Sequence, residues 1–345
     1  MEIWFAGVPG GGKPGICKRE RELFLQDKNH RLHSYYHMIE TKGHLPMNHK
    51  VDLFLDSGAY SAFTQGVEID IQEYISFIKE HQDVISVYAN LDTIGQDKTS
   101  AKQTYQNQRI MEEAGLSPLP VFHLHEPFKY LKLYCERYDY ISLGGMVGSS
   151  SKILSPWLDK CFSEFICDET GLPKVKVHGF GMTSLKLMLR YPWYSVDSTS
   201  WVLTGRLGGI YVPRFANGKW IYDENSWKIA VSERSPSKKE AGKHISTLTK
   251  RQKQIILDYI HDKGYRLGES EFRWDNEDYE LKENERWFEK AIDGQRQVET
   301  IIESGLCNTY QLRDELNVIY FKDLEKSMPE WPWKFKSVHG IGKLL

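Results

Sequence analysis

The sequence predicts an α/β protein: a (β/α)8 TIM barrel with a helical C-terminal extension. Short apolar β-type runs alternate with helical patterns through residues 1–212. About eight such runs precede a change of pattern, the number a barrel requires. Several end in a polar residue, as barrel strands do at the rim that carries an active site. A doubly wound open sheet shares this periodicity and stays open as the alternative.

Residues 1–7 (MEIWFAG) read as a strand that enters Gly7-Val8-Pro9-Gly10-Gly11-Gly12-Lys13-Pro14. This stretch approaches the phosphate-cradling GxxxxGK[ST] loop. Pro14 stands where the Mg²⁺-binding hydroxyl belongs and has no N–H, so a glycine-rich strand-to-helix turn is the preferred reading. A helix is expected over Lys18 to Gln26, with Tyr35, Tyr36 and Ile39 packing behind it. The run Leu53–Asp56 is followed by Ile71, Tyr74, Ile75 and Ile78 at helical spacing. Next come Val84–Leu91 and a polar helix over Ser100–Ala114 that Gly115 closes. Leu119–Leu124 precedes the helical pattern Phe128–Arg137, and Tyr140–Leu143 precedes one carrying Ile153, Leu154, Trp157 and Leu158. Val175–Gly179, Ser184–Leu189, Tyr194–Val196 and Gly209–Val212 complete the series.

Beyond this point the composition shifts. Residues 234–253 hold Arg234, Lys238, Lys239, Lys243, Lys250, Arg251 and Lys253 against the single acid Glu240. The chain is therefore divided into a barrel domain, 1–233, and a helical region, 234–345, with helices around Gln254–Asp262 and Glu289–Ile302. The basic run is a candidate phosphate-tracking face through Lys238, Lys239 and Lys243, with a solvated helix or linker as the plainer reading.

With 345 residues, 40% hydrophobic and 27% charged, the chain has the composition of a soluble globular protein. No apolar run approaches the ~20 residues that span a bilayer, and Met1-Glu2-Ile3-Trp4 does not open a signal peptide. Five scattered cysteines without a CxxC pair fit a reducing cytoplasm and argue against a cysteine-rich zinc site. A net charge of −2 gives no global attraction to nucleic acid, so such binding requires a local basic face.

The chemistry concentrates at strand ends. Asp56, Asp92 and Asp197 each follow an apolar run, and Gly144-Gly145 follow another. A lone Asp there is commonly a helix N-cap. Three together, beside a Gly-Gly turn that lets a flat ligand approach the backbone, point to a site. Paired carboxylates can divide the roles of nucleophile and general acid/base, as in glycoside chemistry. A metal reading of His123, His125 and His178 ranks below a base-contacting or core role.

The ordered set Asp56-Ser57-Gly58-Ala59-Tyr60, Leu91-Asp92, Leu143-Gly144-Gly145-Met146-Val147-Gly148 and Val196-Asp197 resembles the tRNA-guanine transglycosylase superfamily. That family carries a DSGG(F/Y) strand end, a base-binding Asp, a GGL-type loop and a nucleophilic Asp in this order on a TIM barrel. The resemblance covers roughly residues 50–215 and implies a transferase of the pentosyltransferase type. It implies that Asp197 attacks C1′ of a nucleotide and that Asp56 is the general acid/base. Asp92 and the Gly144-Gly145 amides would bind the purine edge. Ser57, Gly58, Tyr60 and His125 would line the substrate, and Arg206 would meet nucleic acid. Trp201 is assigned to stacking on a base, with a buried core position as its alternative. No cofactor is expected, because exchanging one base for another breaks and makes similar bonds.

The departures are specific. The family's C-x-C-x2-C…H zinc site is absent, so no metal is expected, and Ser198-Thr199-Ser200-Trp201 replaces the Arg-containing segment after the nucleophile. This pattern is similar to the DNA-guanine transglycosylases, the DpdA branch of phages and bacterial islands. The resemblance implies DNA and a free 7-deazaguanine base of the preQ0/preQ1 kind as partners, in a bacterial or phage-infected cytoplasm without membrane contact. A homodimer or a helper protein is left open. A zinc-free tRNA enzyme, a non-catalytic nucleic-acid-binding barrel and a carbohydrate glycosidase are the competing readings.

Overall fold

The computed structural model describes residues 1–7, 29–41, 51–95, 98–224, 226–288 and 292–335. The P-loop-like stretch after Gly7 and the helix expected over 18–26 lie outside these residues. The described residues divide into two compact units: the first comprises 1–7, 29–41, 51–95, 98–199 and 325–335, the second 200–224, 226–288 and 292–324. The division falls at Thr199/Ser200, so 200–233, read from the sequence as barrel, groups with the C-terminal region.

The first unit is an eight-stranded parallel sheet with flanking helices, TIM-barrel-like in its curl. Its strands are β1 Glu2–Ala6, β2 Asn29–Ser34, β3 Val51–Asp56, β4 Val87–Tyr88, β5 Val121–His123, β6 Tyr140–Gly144, β7 Lys176–Gly179 and β8 Ser195–Ser198, in the order β4-β3-β2-β1-β8-β7-β6-β5. The expected count of eight is met by a different membership. β2 was not anticipated, because NHRLHS carries a single apolar side chain. Gly209–Val212 is a strand of the second unit and pairs antiparallel with Trp227–Ala230.

Ring contacts define the curl. Phe54 on β3 and His178 on β7 have centroids 4.7 Å apart, although three strands separate them. In a flat sheet that separation would be about 19 Å. Phe54 also meets Trp4 edge-on at 5.4 Å. Parallel register puts partner side chains on one face, so the inward set follows from Phe54. It includes Trp4, Leu32, Val121 and His178, and towards the strand C-termini Asp56, His123, Gly144 and Asp197. Trp4, Ala6, Leu32, Phe54, Ala89, Leu119 and Val121 form the apolar interior. On the outer face Leu53 and Leu55 pack against Tyr74, Ile75 and Ile78 of the helix Ile71–Glu80. Asp70 caps that helix by accepting from Gln72 and Glu73 N–H.

Residues after Glu325 return to this unit at the N-terminal side of its strands. Glu325 accepts a hydrogen bond from Ile3 N (2.7 Å), Trp331 donates to Pro192 O (3.2 Å), and Phe335 N donates to Gly171 O (2.8 Å).

The second unit is mixed, which corrects the helical expectation for residues after 234. It contains the helices Ser200–Arg206 and Lys250–Asp262 and most of Tyr310–Ser327. It also contains a three-stranded antiparallel sheet of Glu269–Asn276, Glu285–Trp287 and Gln295–Glu303. The last strand lies where a helix over Glu289–Ile302 was expected. Its centre is buried at Val298 and Glu299, and Glu299 takes a bidentate bond from Arg286 (2.8 and 3.0 Å). Ile210, Val212, Ile229, Ile256, Tyr259 and Leu316 supply this unit's core. No described helix is long and apolar enough to cross a membrane.

Phe54 is fully buried among aromatic neighbours that cannot collapse freely. Phe54→Ala should therefore cost about 3–5 kcal/mol of stability, read as a lowered urea midpoint at unchanged m-value. A loss below about 1 kcal/mol would show that the interior closes over the void.

Candidate active site

The inward side chains at the C-terminal ends of β3, β5 and β8, with Asp92 from the segment after β4, make a polar cluster in which His123 and Asp197 are buried and Asp56 and Asp92 half-buried. On β3 and β5 the inward apolar residues Phe54 and Val121 precede the polar ones, whereas β8 presents Ser195 and Asp197 inward and its one apolar residue, Val196, outward.

Asp92 is held from two sides. Ser57 Oγ donates to Oδ1 at 2.8 Å, and His123 Nε2 lies 2.8 Å from Oδ2. His123 Nδ1 in turn lies 3.0 Å from Glu126 Oε1, and the His123 amide donates to Glu126 Oε2 at 3.0 Å. Burial alone would lower the imidazole pKa. The bonds to Asp92 and Glu126 outweigh burial and hold His123 up at about 10, so it is an imidazolium bridging two carboxylates at neutral pH.

Asp56 is the opposite case. Its Oδ2 accepts from Gly58 N at 3.2 Å. Burial, followed by the negative charges of Asp92 and Asp197, pushes its carboxyl up to about 8. It therefore carries a proton at neutral pH. Asp197 is 7% exposed, and its Oδ1 accepts from Gly181 N at 2.7 Å. Among the described residues its Oδ2 takes no hydrogen bond. A carboxyl that keeps its proton near one with an open oxygen is a pair whose chemistry could serve as acid and nucleophile.

The glycines are needed for packing before any ligand arrives. A Cβ on Gly144 would lie 2.9 Å from His123 Cδ2, so only glycine admits the imidazole here. Gly58 has φ +76°, and a Cβ there would meet Tyr36 Cβ at 2.7 Å. Gly145 is exposed at φ +72°.

Of the residues anticipated from sequence, Asp56, Asp92, Asp197, Ser57, Gly58 and Gly144 belong to this cluster or build its walls. Ser57 is fully buried and serves Asp92, leaving it no surface for a substrate. Tyr60 is 60% exposed, two residues beyond Gly58. His125 is exposed at φ 76°, on a turn beyond the end of β5. Trp201, expected to stack on a base, is fully buried, and its backbone carbonyl accepts from Asn317. This corrects that role: the indole is core of the second unit. Arg206, Lys238, Lys239 and Lys243 are exposed residues of the same unit. Lys238 is paired with Glu233 and Lys243 with Glu240, which reduces the basic character read from the sequence.

Sequence reasoning missed Glu126, Ser195 and Tyr140. Glu126 had a signal: an acid three residues after His123, just past the strand-like run Leu119–Leu124. Among the described residues no three His, Cys, Asp or Glu side chains are grouped to hold a metal ion. Comparison with known proteins found no matching family model, no matching curated protein and no matching solved structure.

The two perturbed groups set a pH dependence of stability. Asp56 binds its proton more tightly folded than unfolded, so this group costs stability as pH rises from about 4 to about 8. His123 contributes stability that is complete below its ordinary 6.5 and is lost as pH rises through about 10. Urea unfolding of Asp56→Asn against wild type should show a gain for the variant that grows with pH between about 4 and 8 and then levels. A constant difference across that range would place the Asp56 carboxyl in an ordinary environment.

Proposed function

We propose that the chain is a base-exchange transglycosylase. It would replace guanine in DNA with a 7-deazaguanine base through an ester between Asp197 and C1′ of the nucleotide. The observation that carries this reading is the contrast between two carboxyls: Asp56, pushed up to about 8, and Asp197, held through Oδ1 with no hydrogen bond to Oδ2 among the described residues. In the first half-reaction Asp197 Oδ2 attacks C1′, the C1′–N9 bond breaks, and Asp56 gives its proton to the departing guanine. In the second, Asp56 takes the N9 proton of the incoming base, whose nitrogen then displaces Asp197. One proton leaves and one returns, so the exchange balances without a cofactor.

Asp92 supports a purine as the ligand. The His123 imidazolium lies against one of its oxygens and Ser57 against the other, and each oxygen has capacity beyond the bond it already accepts, matching the N1–H and N2–H₂ donors of guanine. The preference for DNA over tRNA rests on the sequence likeness alone. A closed (β/α)8 barrel is the architecture we infer for the first unit. Its support is the parallel bridge Ala89↔Leu119 between the ends of the strand order, with Leu119 N donating to Tyr88 O (2.8 Å) and Asn90 N to Leu119 O (2.9 Å). C1′ of a stacked nucleotide is closed to attack, so the substrate is single-stranded or flipped.

The test is incorporation of labelled guanine into DNA and into tRNA. Label in DNA supports the proposal, label in tRNA alone redirects it to the zinc-free tRNA reading, and label in neither removes it. Asp197→Asn should abolish both exchange and the covalent DNA adduct. Asp56→Asn should lower exchange by roughly 10²–10⁴. Because the first half-reaction needs protonated Asp56, wild-type adduct formation should fall as pH rises through about 8. A persistent adduct in Asp197→Asn would take the nucleophile role from this residue.

A further inference from the structure

We propose that His178 is a positioning residue for Asp197: a neutral imidazole, its tautomer fixed by Ser195 and Tyr140, that aims Nε2–H at the carboxylate. What that carboxylate does rests on the transglycosylase reading; the tautomer does not.

His178 is 0% exposed, packed between Phe54 (4.7 Å) and Phe180 (4.6 Å). Its Nδ1 lies 2.7 Å from Ser195 Oγ, which lies 2.7 Å from Tyr140 Oη. Its Nε2 is buried without a hydrogen-bond partner and lies 3.4 Å from Asp197 Oδ1. Asp197 follows Ser195 by two residues, on the same inward face of β8.

Counting protons selects one arrangement. Ser195 is fully buried and has a single hydroxyl proton for two short contacts. If Tyr140 donates to Ser195 and Ser195 to Nδ1, both contacts are satisfied and the ring proton sits on Nε2, facing the carboxylate. Burial raises the Tyr140 phenol, which keeps its proton to donate. If Nδ1 carries a proton, Ser195 must turn towards Tyr140, whose hydroxyl then has no acceptor among the described residues. In the neutral Nδ1–H form a bare Nε2 lone pair would also face Asp197 inside the protein, which is repulsive.

With Nε2–H in place, Oδ1 of Asp197 accepts from Gly181 N–H at 2.7 Å and lies 3.4 Å from the His178 ring N–H. Both groups face the same oxygen, not Oδ2. The longer contact exceeds ordinary hydrogen-bond length, and such contacts in unliganded sites tighten when substrate binds.

The experiment uses the full-length protein labelled with ¹⁵N-histidine, with the His178 signals assigned by their loss in His178→Phe. Two-bond ¹H–¹⁵N correlations at neutral pH should show a neutral ring protonated at Nε2, and Ser195→Ala should shift the population towards Nδ1–H. A wild-type ring protonated at Nδ1, or at both nitrogens, overturns the proposal. In the reaction, His178→Phe fills the ring's place without the N–H. It should slow adduct formation by roughly ten- to hundredfold, the range for a hydrogen bond to a charged group, with affinity for free guanine unchanged. His178→Gln, which restores an N–H donor, should recover part of the rate. Equal rates in wild type and His178→Phe overturn the positioning role. If wild type forms no adduct while the ring shows Nε2–H, the transglycosylase reading fails and the tautomer assignment stands.

Discussion

Four carboxyl groups meet at one end of the sheet, Asp197 and Glu126 buried and Asp56 and Asp92 half-buried, and burial and mutual repulsion oppose ionising them all without compensation. Two devices relieve the repulsion. His123 is held as an imidazolium that bridges the half-buried Asp92 and the buried Glu126. Asp56 keeps its proton, because ionising it would add another negative charge beside Asp92 and Asp197. Asp197 is steadied by the Gly181 N–H. Surroundings thereby separate three carboxyls of similar intrinsic chemistry into one that keeps its proton, one held by an imidazolium and one held by a backbone N–H.

The backbone is shaped to permit that cluster. His123 reaches Asp92 because its neighbour on β6, Gly144, has no side chain. The segment that carries Asp56 turns through Gly58 in the left-handed region, against Tyr36, so that Ser57 Oγ can reach Asp92 while Gly58 N reaches Asp56. Beneath these groups Trp4, Phe54, Phe180 and the His178 ring form an aromatic floor. This floor has a dual effect. It makes an uncompensated charge expensive, and it strengthens each hydrogen bond that the cluster makes.

The second unit follows a different logic. Its three-stranded sheet buries an acid, Glu299, at its centre and satisfies it with Arg286, Arg234 and Ser270. The charged residues there are committed to one another, and two of the lysines that looked available for phosphate already face acids. Linear charge density overstated the free positive charge because pairing depends on where the chain folds back.

The sequence by itself determined the alternation of strands and helices in residues 51–198 and the carboxylates Asp56 and Asp197 at or next to the last residue of their strands; Asp92, read as a strand end, instead follows the two-residue strand Val87–Tyr88 by four residues. Both are local properties, carried by period and by composition over a few residues. It did not determine β2, whose His30, Arg31 and His33 break the apolar pattern. There neighbouring strands and the Gly7 carbonyl that accepts from Arg31 supply what apolar side chains usually do. Nor could it place Gly209–Val212 or tell the strand Gln295–Glu303 from a helix, since apolar residues in short runs suit either. Trp201 as core, Glu126 as the partner of His123, and the chain from Tyr140 through Ser195 to His178 were decided by tertiary structure alone. A proton's position depends on burial and on distances of a few ångströms between groups far apart in the chain, and no local pattern encodes those distances.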